Sequence, residues 1–224
     1  MAIRAVIFDL DGTLLDTLQD LRLSLEEALR GLGLPAAFDD GAFRLMVGNG
    51  ARRLIVRALP ADMAGDAALA ETVRASFREA YGRNLCRLTR PYPGVEALLA
   101  RLGADGLRLG VLSNKDEDSV VILMDHFFPG RFVASFGARE GRPLKPAPQG
   151  GLELAGLLGA DPGEIFYLGD SEVDMETALA CGFRPLGVAW GFRSREALLG
   201  AGALAVLDEP GEMYRHMGAG HGRP

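Results

Sequence analysis

The sequence predicts an α/β fold: a doubly wound, mainly parallel, Rossmann-like sheet with an α-helical cap inserted after its first strand. Three observations carry this. Short β-rich apolar runs recur along the chain, most of them are followed by one segment of helical periodicity, and residues 16–85 show helical pattern with no convincing strand.

The first run, AVIFDL (5–10), is apolar at consecutive positions, as in a strand buried on both faces. TLQDLRLSLEEALRGLG (17–33) then puts Leu18, Leu21, Leu25, Ala28 and Leu32 on one helical face. Thr17 and Asp20 have capping-box spacing at its start, and Gly31 or Gly33 can end it. Leu69, Val73, Phe77 and Tyr81 recur every four residues and mark another amphipathic helix. The expected division is therefore a first core segment 1–15, a helical cap 16–85 and the remaining core 86–224. The prolines and glycine of RPYPGVEAL (90–98) mark the return to the core.

From there RLGVLSN (108–114), FVASFG (132–137), IFYLGD (165–170), PLGVAW (185–190) and LAVLDE (204–209) read as strands. GVEALLARLGADG, DEDSVVILMDHFF, PAPQGGLELAGLLG, VDMETALACG and SREALLGAGA read as helices between them. Strands alternating with single helices pair in parallel through right-handed crossovers, and such sheets bind ligands beyond the carboxyl ends of their strands. The glycine-rich tail MGAGHGRP (217–224) is expected to fray.

Composition narrows the function. An apolar share of 48% and a charged share of 24% fit a soluble globular protein, and the net charge of −6 argues against a nucleic-acid partner. No stretch approaches the roughly 20 apolar residues of a membrane span. Aspartate interrupts the opening MAIRAVIFDLDG before a signal-peptide core could form. Cys86 and Cys181 have neither CxxC spacing nor nearby histidines, so they read as buried, reduced thiols. A cytoplasmic protein is expected, monomeric or homodimeric, with no membrane partner.

Chemistry concentrates where strands end. In IRAVIFDLDGTLLDT (3–17), Asp9 and Asp11 stand one residue apart at the mouth of a buried strand, and their repulsion grows as water is excluded. A divalent cation would relieve it, and two oxygen ligands plus waters suit Mg²⁺ better than Ca²⁺. The alternative is a strand-end turn with solvated aspartates. Gly12, lacking a Cβ, lets the backbone come close to a ligand. YLGDSEVDMETA (167–178) ends another strand in Asp170, with Asp174 at a helix start, where it also fits a capping box with Ser171. VLSNKDE (111–117) offers Ser113 and Asn114 to phosphate oxygens, and GRPLKPAP (141–148) holds Lys145 between prolines; turn residues and a solvated lysine are the plain alternatives.

In this order (DxDGT, Ser-Asn, Lys-Pro, GDSxxD) the motifs resemble those of the haloacid dehalogenase superfamily over nearly the whole chain, and the helical interval resembles its small cap. The resemblance implies Asp9 as a nucleophile that forms an aspartyl-phosphate, and Asp11 as general acid, then base. It implies Mg²⁺ held by the Asp9 side chain, the Asp11 backbone carbonyl and Asp170, with Asp174 supporting them. Gly12, Ser113, Asn114 and Lys145 would surround the phosphoryl group. A complete DxDGT favours phosphate chemistry over dehalogenation.

Within MVGNGARRLIVRAL (46–59), Gly48-Asn49-Gly50 reads as a turn into a helix starting near Ala51. Arg52 and Arg53 in its first turn oppose the helix dipole, a small cost that makes sense if one of them, Arg53 by preference, meets an anionic substrate. This stretch resembles the VGNG segment of bacterial phosphoglycolate phosphatases, which implies a small phosphorylated metabolite as substrate and Gly48, Asn49 and Arg53 as specificity residues. A β-phosphoglucomutase-like mutase and a phosphate-sensing receiver-like switch are the competing readings.

Overall fold

The computed structural model describes residues 2–217, so the tail beyond Met217, with His221, lies outside the described residues. The strand β1 (Ala5–Phe8) is followed by the two-residue β2 (Leu15–Asp16) and four helices, α1 (Leu18–Gly31), α2 (Asp40–Met46), α3 (Ala51–Ala58) and α4 (Ala67–Asn84). Then come β3 (Arg90–Pro91), α5 (Val95–Ala104), β4 (Arg108–Asp116), α6 (Glu117–Phe127), β5 (Ala134–Ala138) and α7 (Gln149–Leu158). Next come β6 (Ile165–Gly169), α8 (Glu172–Cys181), β7 (Arg184–Val188), α9 (Arg195–Gly200) and β8 (Ala205–Leu207), followed by a short 3-10 helix (Pro210–His216).

Six strands form one parallel sheet in the order β5-β4-β1-β6-β7-β8. β1 is central: Ala5 pairs with Arg108 of β4 on one side and Ile165 of β6 on the other. Alternation along β1 divides the core between two faces. Val6 and Phe8 join a cluster that includes Leu98 and Leu102 of α5 and Val120 and Leu123 of α6. Ala5 and Ile7 join Leu154 and Leu158 of α7 and Ala178 and Cys181 of α8. Helices on both faces explain why AVIF carries no polar residue. Because the strands run parallel, the tips of β1, β4 and β6 open toward the same edge.

β2 and β3 pair antiparallel, Leu15 with Pro91 and Asp16 with Arg90, so the chain leaves the sheet and returns to it at one place. Asp20 fastens this junction: its Oδ2 accepts from the Leu88 N–H at 2.9 Å, the Thr89 N–H at 2.8 Å and the Thr89 hydroxyl at 2.9 Å. The capping box expected of Thr17 and Asp20 therefore does not form; Thr17 makes no side-chain cap bond. On the expected apolar face of α1, Leu18, Leu21, Leu25 and Ala28 are buried, but Leu32 lies beyond the helix and is exposed, and Leu29 fills the buried place. Val73, Phe77 and Tyr81 of α4 are buried, with Phe77 and Tyr81 stacked at 5.5 Å.

Two further differences concern the edges of elements. The run 5–10 stops as a strand at Phe8, whereas the run 108–114 continues to Asp116 and carries Ser113, Asn114 and Lys115 within β4. Cys181 is buried as expected, but Cys86 is only half-buried; both are free thiols.

Candidate active site

Asp9 follows β1 and Asp170 follows β6, its immediate neighbour in the sheet, so the two carboxylates meet. With Asp174, in the first turn of α8, they offer oxygen atoms that all lie within 4.8 Å of one another. Lys145, from the segment between β5 and α7, reaches into the group: its Nζ lies 2.7 Å from Asp9 Oδ1, 2.7 Å from Asp174 Oδ1 and 3.1 Å from Tyr167 Oη. The other oxygen of Asp174 accepts from the Ser171 N–H at 3.0 Å and its hydroxyl at 2.6 Å. Asp174 thus joins the start of α8 to Lys145. Asp170 Oδ2 accepts from the Phe192 N–H at 2.7 Å.

The space around Asp170 depends on two glycines. A Cβ on Gly12, whose φ is +86°, would stand 2.3 Å from Asp170 Oδ2. A Cβ on Gly191 would stand 2.2 Å from Asp170 Cβ and 2.5 Å from the Gly12 carbonyl oxygen. Gly12 therefore has a reason to be glycine beyond the approach of a ligand: the carboxylate of the neighbouring tip occupies the place of its side chain.

Burial pushes the Asp9 carboxyl from 3.8 up to about 7; Lys145 pulls it down and Asp174 raises it again. Burial also drives Asp170 well above its ordinary value, with Asp174 and Asp9 adding repulsion. For Lys145, burial works against the ammonium, but Asp174 and Asp9 outweigh it and hold the group above its usual range. Ionised, three buried carboxylates face one buried ammonium, which leaves two negative charges uncompensated. An all-oxygen donor set with that deficit fits a hard divalent cation such as Mg²⁺.

Asp11 faces another neighbourhood. Its Oδ1 accepts from Thr17 Oγ1 at 2.6 Å, and Lys115 Nζ lies 2.9 Å from both of its carboxylate oxygens. Lys115 also sits over the Tyr81 ring, 4.6 Å from its centre. A cavity of about 60 Å³ lies between the sheet edge and the helices; Asp9, Asp11, Gly48, Gly50, Tyr81, Ser113, Asn114, Lys115 and Lys145 are among the residues lining it.

The structure thus brings Asp9, Asp11, Ser113, Asn114 and Lys145 to one cavity and sets Asp170 and Asp174 beside Asp9. Asn114 uses its side chain on the backbone of Lys145: Nδ2 donates to the Lys145 carbonyl at 3.1 Å, and Oδ1 accepts from its N–H at 2.8 Å. It positions the lysine. Gly48 lines the cavity, but Asn49 and Arg53 do not; Arg53 is exposed and donates to Asn49 Oδ1 at 3.1 Å. Sequence reasoning passed over Lys115 and Tyr167, and read Thr17 only as a helix cap. Lys115 could have been found from its place two residues after Ser113 on a strand, a spacing that repeats one face. Tyr167, a hydroxyl inside an apolar run, needs a buried partner.

The sequence profile of the haloacid dehalogenase-like hydrolases matches residues 3–182, and the chain belongs to that family. Its relatives narrow the comparison. It is 35% identical over 212 residues to the phosphoglycolate phosphatase of Pseudomonas putida, covering 92% of this chain and 76% of that one. It is 36% identical over 213 residues to that of Rhodospirillum rubrum, covering 92% and 87%. A crystal structure from Lactobacillus delbrueckii subsp. bulgaricus, of a protein proposed to be a phosphoglycolate phosphatase, superposes with a TM-score of 0.92 at 30% identity, over 98% of this chain and all of that one. No helix among the described residues is long and apolar enough to cross a membrane.

Proposed function

We propose that this hydrolase is a Mg²⁺-dependent phosphomonoesterase that works through an aspartyl-phosphate on Asp9, with 2-phosphoglycolate as the substrate that fits it best. The observation that carries the reading is the pairing of each aspartate of the DxD motif with its own lysine at one cavity: Asp9 with Lys145 and Asp11 with Lys115.

Asp9 Oδ attacks phosphorus, and the bond from phosphorus to the ester oxygen breaks. Lys145 holds its ammonium beside Asp9, where it offsets repulsion between the incoming phosphate and the carboxylate. Ser113 offers its hydroxyl to the phosphoryl oxygens, and Asn114 fixes the backbone from which Lys145 projects. Asp11 gives a proton to the leaving oxygen and later takes one from the water that hydrolyses the acyl phosphate. Asp9, the Asp11 carbonyl and Asp170 would hold Mg²⁺, with Asp174 orienting its neighbours; the ion supplies charge neutralisation and Lewis acidity. Helices α1, α3 and α4, as parts of the cap, line the cavity through Leu21, Leu54, Phe77 and Tyr81 and limit the size of the leaving group.

The substrate preference is supported by the small cavity and by relatives named phosphoglycolate phosphatases. The test is phosphate release from a panel of small phosphate esters, with Mg²⁺ and with chelator. The reading requires metal-dependent release, fastest from 2-phosphoglycolate. Release unaffected by chelation, or no release from any ester, overturns it.

A further inference from the structure

The phosphoryl end of the cavity has its cation in Lys145, which two carboxylates and a phenol already hold. Lys115 is a second buried cation on the same wall, and nothing in the handling of the phosphoryl group requires it. It engages both oxygens of Asp11, and Thr17 occupies one of these as well. In that arrangement both oxygens of Asp11 are engaged by its own protein neighbours, Oδ1 by two of them and Oδ2 by one. Beside Lys115 stands Tyr81, whose buried hydroxyl donates to no group among the described residues. Leaving such a donor unpaired costs about 1–3 kcal/mol, so its presence in a cavity wall points to an acceptor that arrives with the ligand. Burial keeps the phenol above its ordinary value, so the hydroxyl retains a proton to donate.

Resting on the phosphomonoesterase reading, we propose that Lys115 and Tyr81 form a carboxylate subsite that selects leaving groups carrying an anion next to the ester oxygen, and that occupying it draws Lys115 off Asp11. Asp11 serves the ester oxygen, and Lys115 touches Asp11. A carboxylate one carbon away from that oxygen therefore arrives within reach of the ammonium. An uncharged leaving group lacks what is needed to exchange with Asp11, so Lys115 stays on both of its oxygens. The same exchange favours short α-carboxylated phosphates over longer or neutral ones.

The test compares 2-phosphoglycolate with 2-hydroxyethyl phosphate, its neutral analogue, as substrates of the full chain with saturating Mg²⁺. The quantity read is the ratio of their kcat/KM values. The wild type favours phosphoglycolate; Lys115→Met lowers the ratio at least about tenfold, as expected when a charge-assisted hydrogen bond is lost. Tyr81→Phe lowers it less, and Lys115→Arg, which keeps the cation, retains most of it. A merely structural role for Lys115 would slow both esters equally, so an unchanged ratio in Lys115→Met overturns the proposal. Equal wild-type rates on both esters overturn it too while leaving the phosphatase reading intact. Absence of activity on either ester, with Mg²⁺ present, overturns both.

Discussion

On the proposed reading, the buried carboxylates around Asp9 would make Mg²⁺ binding a proton-linked event, and its size can be worked from the site. Asp9 is pushed from 3.8 to about 7, chiefly by burial. Below about pH 7 the neutral form is therefore favoured in the folded, metal-free protein. A carboxyl raised in this way contributes stability that is complete below its unfolded value and is lost as pH rises through its folded value. Over the interval from about pH 4 to about pH 7 the metal-free protein should lose about 4 kcal/mol on this account, at about 1.4 kcal/mol for each tenfold change in proton affinity. Mg²⁺ reverses the trend, because a ligating carboxylate must be ionised. Well below pH 7 each further tenfold rise in proton concentration weakens Mg²⁺ binding about tenfold for the Asp9 proton; since half of the carboxyl is already protonated at pH 7, the loss between pH 7 and pH 5 is about 50-fold. Asp170, also raised, steepens the slope. Calorimetric titration of Mg²⁺ from pH 5 to pH 8, with thermal unfolding in parallel, measures both effects. An affinity that does not change with pH would refute the claim that buried, protonated carboxylates form the metal site.

Several substitutions probe the remaining assignments. Asp9→Asn should abolish turnover in a protein that stays folded, and because an amide can still accept from Lys145 but cannot ionise, the metal-free variant should melt no lower than the wild type at pH 7 and above; normal phosphatase rates in this variant would remove Asp9 as nucleophile. Asp11→Asn should lower kcat at least about 100-fold through loss of proton transfer, read in steady-state assays with a poor leaving group. Lys145→Met should slow all esters, with no change in the preference between neutral and carboxylated leaving groups; a changed preference would place Lys145 at the wrong end of the cavity. Arg53→Ala removes an exposed guanidinium that bonds to Asn49, and should leave that preference within about twofold, as is usual at surface positions. A larger fall would mean that the helices close further over the substrate than in this structure. Gly191→Ala forces a Cβ to 2.2 Å from Asp170 Cβ and should weaken Mg²⁺ binding while costing about 1–3 kcal/mol in a denaturant titration.

The parts of the fold that could be read from the sequence are those with strong periodicity. AVIF, RLGVLSN and IFYLG are apolar runs bounded by polar tips, and each became a central strand. Their ends were less legible, because a strand stops where its backbone runs out of pairing partners, which lie far away in sequence. β1 makes its last pairs at Phe8, with Val111 and Leu168, whereas β4 is carried on to Asp116 by pairing with Ala138 of β5 across a register shift. Thr17 and Asp20 show the same limit. Their spacing is that of a local cap, but Asp20 is drawn to Leu88 and Thr89, remote in sequence, and Thr17 to Asp11. Local spacing could not decide between a cap and these tertiary partners. Arg53 was a natural candidate for an anion site because a basic residue at a helix start needs a reason. Asn49 supplies a local one, and the buried cation beside Asp11 comes from β4 instead.

Two aspartates one residue apart would repel strongly if they shared a face. They do not, because β1 ends before the first, and Gly12 at a φ of +86° turns the chain directly after the second. Asp9 is left beside Lys145 and the acidic tip of β6, while Asp11 is left beside Lys115 and the start of α1. The motif thus divides one crowded strand end into two electrostatic neighbourhoods, each with its own ammonium. Only the first carries surplus negative charge once its carboxylates ionise, and that surplus is what would draw a cation there rather than to Asp11's carboxylate. The second is balanced without a ligand, and on the proposed mechanism that balance is what an incoming anion would shift as Asp11 serves an ester oxygen. Discrimination between leaving groups then follows from the lysine on β4, a strand of the sheet, while the helices above set how much room the leaving group has.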